Sequence, residues 1–216
     1  AGGANGDETA YAVGGFLNGK VILLSIGGIF GGYEEFKLED LAKRLGRFPL
    51  SRCVIEKNMG FGAFKSVFTP IFKKHCTGGL DDDLVSGQKE RRIIATLAPV
   101  MGRGSLIVDA AAIDEDRDCC ERYSPALRQT YSFFFQLSKM TEQRDALVHD
   151  DRVDAAEGLV RQFNSHLAQD QEEQLRKEQE KELAKLRDDP FGRKRINYTG
   201  PGRVSVGVSM LRHRRR

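Results

Sequence analysis

Two short apolar runs near the start of the chain set the first constraint on its fold. Tyr11–Phe16 and Lys20–Ile26 are β-prone, and Leu17-Asn18-Gly19 between them is a hairpin signal. From there the periodicity alternates. Glu34–Leu45 carries Phe36, Leu38, Leu41, Ala42 and Leu45 at helical spacing and closes on Gly46. Arg52–Asn58 reads as a short buried strand ending in a carboxylate, Gly60–Gly62 as a turn, and Ala63–His75 as a helix containing Pro70. Asp82–Ser86 is expected to be a strand, Gln88–Met101 a helix and Leu106–Val108 another strand. Asp114–Arg122 is charged enough to read as a loop or ribbon. Tyr131, Phe133, Phe134 and Phe135 are expected in a core, and Ala1–Thr9 in a loop. Strands alternating with helices after a hairpin predict a mixed α/β sheet with helices on both faces.

Bulk properties narrow the class. An apolar content of 40% is enough for a real core. No run of eighteen apolar residues exists, so no membrane span is expected, and no signal peptide is evident in the Gly-rich opening. Cys53, Cys76, Cys119 and Cys120 lack Cys-x-x-Cys spacing, so neither a disulfide framework nor structural zinc is expected; a reducing cytosol fits. Gly14-x-x-x-x-Gly19-Lys20 imitates a phosphate loop. Val21 stands where Ser or Thr would hold magnesium, and a strand follows rather than a helix, so that reading is rejected.

The net charge of +3 is unevenly placed. Phe191–Arg216 has eight Lys and Arg and no acid, a composition suited to a polyanion or an acidic protein surface. Gln169–Asp189 has too few apolar residues for a core-facing stripe. It reads as a solvated helix with the pairs Glu172–Arg176 and Glu173–Lys177. The expected divisions are 1–168, a globular domain; 169–189, a charged helical extension; and 190–216, a flexible basic tail in which Val204–Val208 could pair as an edge strand.

The chemically suggestive stretch is Ala146–Ala156. Asp150, Asp151 and Asp154 stand at the head of a helical pattern anchored by Ala156, Leu159, Val160, Phe163 and Leu167. Asp150 and Asp154 would share one face. Capping accounts for Asp at a helix start. A hard divalent cation accounts for several carboxylates brought together. Glu56, at the carboxyl end of a strand, is where sites of α/β sheets collect. Glu56 with the Asp cluster gives the ingredients of two-metal phosphodiester hydrolysis, in which two cations about 4 Å apart activate water and stabilise the leaving oxygen. His149 reads as a local hydrogen-bonding residue rather than a base.

At this point the sequence resembles the C-terminal nuclease domain of the large terminase subunit of tailed bacteriophages, an RNase H-like fold. Ala1-Gly2-Gly3 through Gly6-Asp7-Glu8-Thr9 resembles that family's Gly-rich loop after its first strand. Val54-Ile55-Glu56-Lys57-Asn58-Met59-Gly60-Phe61-Gly62-Ala63-Phe64 resembles the strand with the second acid and its glycine turn. Gly87–Ile93 with Thr96-Leu97 and Pro99-Val100-Met101 resembles the next helix. Leu147–Ala155 resembles the last acidic motif, similar in form to His-Asp-Asp-x-x-Asp-Ala. The resemblance covers roughly residues 1–165. It implies an RNase H-like mixed sheet with a C-terminal helical extension and basic tail, and a metal-dependent endonuclease that cuts concatemeric double-stranded DNA during packaging. Glu56, Asp150 and Asp151 are the implied catalytic ligands of two Mg²⁺ or Mn²⁺ ions, with Asp154 a further ligand or an orienting group. Lys57, Lys89, Arg91 and Arg92 are the implied DNA contacts. The implied partners are double-stranded DNA, the portal protein and the small terminase subunit, in the host bacterial cytoplasm without a membrane. The motor implies a ring, while the isolated domain could be monomeric.

The family's first acid falls two positions before the residue equivalent to Ala1, at the end of its central strand. Either further residues precede Ala1 or the chain is a truncated domain; if truncated, a sheet without that strand and impaired metal affinity and cleavage are expected, and Asp7 is not promoted to the missing ligand. Two readings compete with the terminase nuclease. One is another RNase H-like nuclease, such as a resolvase- or transposase-like enzyme. The other is a non-catalytic module that docks DNA or the portal.

Overall fold

A computed structural model describes residues 8–30, 34–56 and 63–188. The hairpin forms as expected. β1 (Glu8–Leu17) pairs antiparallel with β2 (Lys20–Phe30), and Leu17 faces Lys20 across the turn. Asn18 and Gly19 hold φ of 51° and 74°, the positive pair that a two-residue hairpin turn requires. The would-be phosphate loop is thus strand, turn and strand. α1 (Glu35–Leu45) follows, capped by the Gly46 N–H on the Ala42 carbonyl at 2.8 Å. β3 (Arg52–Glu56), α2 (Ala63–His75) and β4 (Gly79–Asp83) form a parallel strand–helix–strand unit. α3 (Lys89–Gly102) leads to β5 (Leu106–Val108), which lies parallel to β2. Then come α4 (Ala110–Cys120), α5 (Arg128–Tyr131), α6 (Phe133–Lys139), α7 (Asp151–Gln162) and α8 (Asn164–Asp188).

Among the described residues the strands make two sheets, β1-β2-β5 and β3-β4, with no ladder joining them. The larger sheet is mixed and carries apolar side chains on both faces. A register shift between Val13 and Gly14, where Ser25 and Leu23 are their successive partners, reverses the facing of β2 part-way along. Val21, Leu23 and Ile26 therefore join one core with Ile93, Leu97, Val100, Phe133, Val153, Ala156 and Val160 of α3, α6 and α7. Tyr11, Val13 and Ile29 join the other with Leu38, Leu41, Ile55, Phe64, Phe68 and Phe72 of α1, β3 and α2. Tyr131 and Phe133 are buried, as expected for the aromatic stretch; in the anchoring set, Ala156, Val160 and Leu167 are buried, and Leu159 and Phe163 partly so.

Three expectations are corrected. Glu8 and Thr9, expected in a loop, open β1 and pair with Phe30 and Ile29. β4 begins three residues earlier than Asp82–Ser86. Pairing with β3 sets its span: Arg52 faces Gly79, and the Gly79 N–H donates to the Ser51 carbonyl at 3.1 Å. The acids this brings into the strand are met by cations, Arg52–Asp81 at 3.2 Å and Lys65–Asp82 at 3.1 Å. Asp114–Arg122 is no loop or ribbon but lies largely in α4. The Asp109 carboxylate accepts the Ala111 N–H at 2.8 Å, three alanines open the helix, and Asp116 finds a buried cation.

That cation is Arg152, which is 0% exposed. Its Nε and Nη2 donate to the two Glu8 oxygens at 2.6 and 3.0 Å. Its Nη1 donates to Asp116 Oδ1 at 2.7 Å and to the Asp116 carbonyl at 3.0 Å. The pairing ties the start of β1, α4 and α7 together.

The compact unit runs to Gln171. The remainder of the described chain, Glu172–Asp188, is helical and charged, with Lys177–Glu173 at 2.8 Å as expected, while Arg176 reaches Glu180 at 3.8 Å. Asp7 and the tail, with Val204–Val208, lie outside the described residues. All four cysteines are free, and no described helix is long and apolar enough to cross a membrane.

Replacing Arg152 with Met keeps its bulk but strands two buried carboxylates. Removing one partner of such a pair costs about 3–5 kcal/mol. The expected outcome is a large drop in urea midpoint with an unchanged denaturant slope; a variant as stable as the wild type would contradict the anchoring role.

Candidate functional site

The acids gather on α7 because of how its first turn is satisfied. Asp150 occupies the N-cap position but makes no side-chain capping bond. Gln136, fully buried on α6, does the capping instead. Its Oε1 accepts the N–H groups of Arg152 and Val153, both at 3.1 Å, while its Nε2 donates to the Thr130 and Tyr131 carbonyls. Asp150 is thereby released from the role that capping would assign to it.

Asp150 and Asp154 turn toward α3. Lys89, the first residue of α3, donates to Asp150 Oδ1 at 2.7 Å and lies 3.3 Å from Asp154 Oδ2. Arg92 donates Nη2 to Asp154 Oδ1 at 2.8 Å and Nη1 to Glu157 Oε2. Glu157, 0% exposed, also accepts from Thr96 Oγ1 at 2.9 Å and Arg161 Nε at 3.1 Å. Positions 89, 92 and 96 on one helix thus mesh with 150, 154, 157 and 161 on the other, each set following the helical repeat. Burial alone would lower the Lys89 pKa. Asp154, Asp150 and Asp151 outweigh it and hold the ammonium at about 12.

His149 leads into this turn and stacks on Tyr131, centroids 3.9 Å apart. Tyr131 stacks on Tyr123 at 3.6 Å, and the Tyr123 hydroxyl donates to Glu8 Oε2 at 2.6 Å. Burial, then the Glu8 charge, pushes the Tyr123 pKa up, so it stays a donor. The acid-bearing turn is therefore bolted through aromatic rings to the Arg152 network.

Glu56 is half-buried at the end of β3, directly opposite Asp83 of β4 in the ladder. Asp83 Oδ2 accepts from Arg161 Nη1 and from Gln162 Nε2 at 3.2 Å. Of the sequence-predicted site residues, Asp150, Asp154, Lys89 and Arg92 come together. Asp151 follows in the same turn, Arg91 is exposed on α3, and Lys57 lies outside the described residues. Among the described residues no group of three or more His, Cys, Asp or Glu side chains converges as a metal cluster, so Glu56 is not gathered with the α7 acids into one. The cleft of about 500 Å³ lined by Arg44, Arg47, Glu115 and Arg122 contains none of the candidate acids.

Glu157 and Arg161 escaped sequence reasoning, although their spacing from Asp150 and Asp154 places them on the same helix face. Gln136 left no local signal, because its partner N–H groups lie sixteen and seventeen residues away.

The donor set suits a hard cation. The carboxylate oxygens of Asp150 and Asp154 already converge on one positive charge, the Lys89 ammonium, and all-oxygen donors are what Mg²⁺ and Mn²⁺ take.

A mixed sheet flanked by helices, with acids at a strand end and a helix start, defines an α/β domain. The sequence pattern of the family described as Terminase Bacteriophage T7, Ribonuclease H-like domain, matches residues 1–106. Over 153 residues the chain is 38% identical to the "Terminase, large subunit" of Enterobacteria phage T3, covering 71% of this chain and 26% of that protein. The chain belongs to the RNase H-like nuclease family of phage large terminase subunits, and spans about a quarter of the length of the relative it matches.

Glu157→Ala leaves Arg92 and Arg161 without their shared buried partner, and a loss of about 3 kcal/mol or more in unfolding free energy is expected. Chemical denaturation measures it, and a loss below about 1 kcal/mol would show that solvent replaces the carboxylate.

Proposed function

We propose that this domain is a metal-dependent endonuclease that cuts concatemeric double-stranded DNA during viral genome packaging in the host bacterial cytoplasm. The observation that carries the reading is the release of Asp150 from capping and its convergence with Asp154 on a cation. Asp150, Asp151 and Glu56 would hold two Mg²⁺ or Mn²⁺ ions, with Asp154 as a further ligand or, through Arg92, an orienting group. Bound there, the ions supply Lewis acidity and lower the pKa of water. Gln136 and the His149–Tyr131 stack hold the backbone of the acidic turn in place beneath Asp150 and Asp151. Arg91 is exposed to meet a phosphate. Lys89, Arg92 and Lys57 are the further backbone contacts, the first two by exchanging carboxylate partners for phosphate. The portal protein and the small terminase subunit are the proposed protein partners, with a ring formed in the full motor.

A second reading, a module that docks DNA or the portal without cutting, draws on the same ion pairs, because Lys89 and Arg92 already compensate Asp150 and Asp154. Supercoiled plasmid with Mn²⁺, Mg²⁺ or EDTA separates the two. Nicking that requires metal and falls to the EDTA background in Glu56→Ala and Asp150→Ala is expected. Plasmid binding with no cleavage at any metal concentration would support docking, and cleavage that survives EDTA would remove both.

Lys89→Met tests the compensation itself. With the ammonium gone, Asp150 and Asp154 attract a divalent ion more strongly, and Mn²⁺ affinity by calorimetry is expected to rise about tenfold. Unchanged affinity would mean that Lys89 does not share the cation's position.

A further inference from the structure

The proposed ligands ride on different parts of the fold. Glu56 belongs to the β3-β4 sheet, which among the described residues shares no ladder with β1-β2-β5. Asp150, Asp151 and Asp154 belong to α7, which packs on β1 and β2. Ligands of one metal centre need their supporting shell fixed, since small errors in its placement are felt directly in affinity. Backbone pairing within the larger sheet cannot supply that fixity for Glu56.

Arg161 can. It lies in the last turn of α7 with its side chain 27% exposed, as is that of Asp83. Its Nε is held by Glu157 Oε1 at 3.1 Å, and its Nη1 donates to Asp83 Oδ2. Gln162 Nε2 adds a second bond to that oxygen at 3.2 Å. Asp83 is the ladder partner of Glu56. On its other side Glu157 is fixed by Arg92 and Thr96 of α3, and Arg92 reaches on to Asp154. A continuous run of ion pairs therefore leads from Asp154 through Arg92, Glu157 and Arg161 to the neighbour of Glu56. We propose that Arg161 is a positioning residue that locks the Glu56-bearing sheet to the α7 carboxylates and so sets the spacing of the metal ligands. This rests on the nuclease reading above. The guanidinium is suited to the task, since its planar fork engages two carboxylates at once, whereas an ammonium is a single point charge.

The test uses the full chain with Arg161→Met, Arg161→Lys, Asp83→Asn and the double variant Arg161→Met/Asp83→Asn. Hydrogen exchange reads the lock directly. Arg161→Met is expected to speed exchange of the β3 and β4 amides about tenfold while leaving β1 and β2 unchanged. Mn²⁺ binding by calorimetry is expected to weaken about tenfold, the lower end for loss of a supporting contact. Plasmid cleavage should lose kcat with KM retained. Arg161→Lys should recover part of each, and the double variant should be no worse than Arg161→Met alone, because both remove one contact. If Arg161→Met proves unfolded by circular dichroism, Arg161→Lys and Asp83→Asn carry the same readouts. Wild-type exchange in β3-β4 together with wild-type Mn²⁺ affinity in the variants would overturn the proposal. If the wild type itself binds no Mn²⁺, the nuclease reading fails, and the exchange data alone decide whether Arg161 locks the two parts.

Discussion

A guanidinium buried without access to water dictates much of this fold. Arg152 stands among three aspartates in the sequence, yet its side chain points away from all of them. Successive helical residues turn by about 100°, so residues two positions to either side emerge on the far side of the helix. Sending Arg152 into the core therefore sends Asp150 and Asp154 out toward α3. Desolvating a lone guanidinium would be prohibitive, and two carboxylates and a carbonyl offset it. Glu8 comes from the far end of the sequence and needs room to reach in. A Cβ on Gly28 would sit 2.1 Å from the Glu8 carboxylate, which is why glycine stands there in β2. The rotation of α7, and with it the aim of the acids, is set by a contact 144 residues apart in sequence.

The same helix then balances two electrostatic regimes. On its inner side the charges are fully paired and dry. On its α3 side Lys89, Arg92 and Arg161 face Asp150, Asp154 and Glu157. The buried carboxylate, Glu157, receives three donors; Asp150, nearer solvent, is held by the flexible Lys89. An ammonium on a four-carbon stem is the more easily displaced partner. The paired charges of Glu172–Asp188, fully in water, contribute only a few tenths of a kcal/mol each by comparison.

How much of this was legible depends on how local the cause was. The hairpin, α1, α2, α3 and α7 were readable because turn chemistry and apolar spacing act within a few residues. β4 was misplaced by three residues because its span is fixed by pairing with β3, a distant event. α4 was misread because its charge density argued for solvent, while its alanines, its Asp109 cap and the arrival of Arg152 argued otherwise. The acidic cluster was visible, and whether Asp150 caps α7 was not. The answer turned on Gln136, an unremarked residue in an aromatic run, taking over the N–H groups of α7.

The separation of the two sheets gives the remaining ion pairs a different weight. Within a sheet, position is enforced by a ladder of backbone bonds that no single side chain controls. Between β3-β4 and α7 the link of Asp83 to Arg161 and Gln162 acts beside the packing of Ile55 with α1 and α2. Apolar contacts resist separation but are tolerant of sliding, whereas a carboxylate gripped by a guanidinium has a preferred direction. A cation on α7, itself oriented by buried Glu157, gives that link its direction at the ladder partner of Glu56.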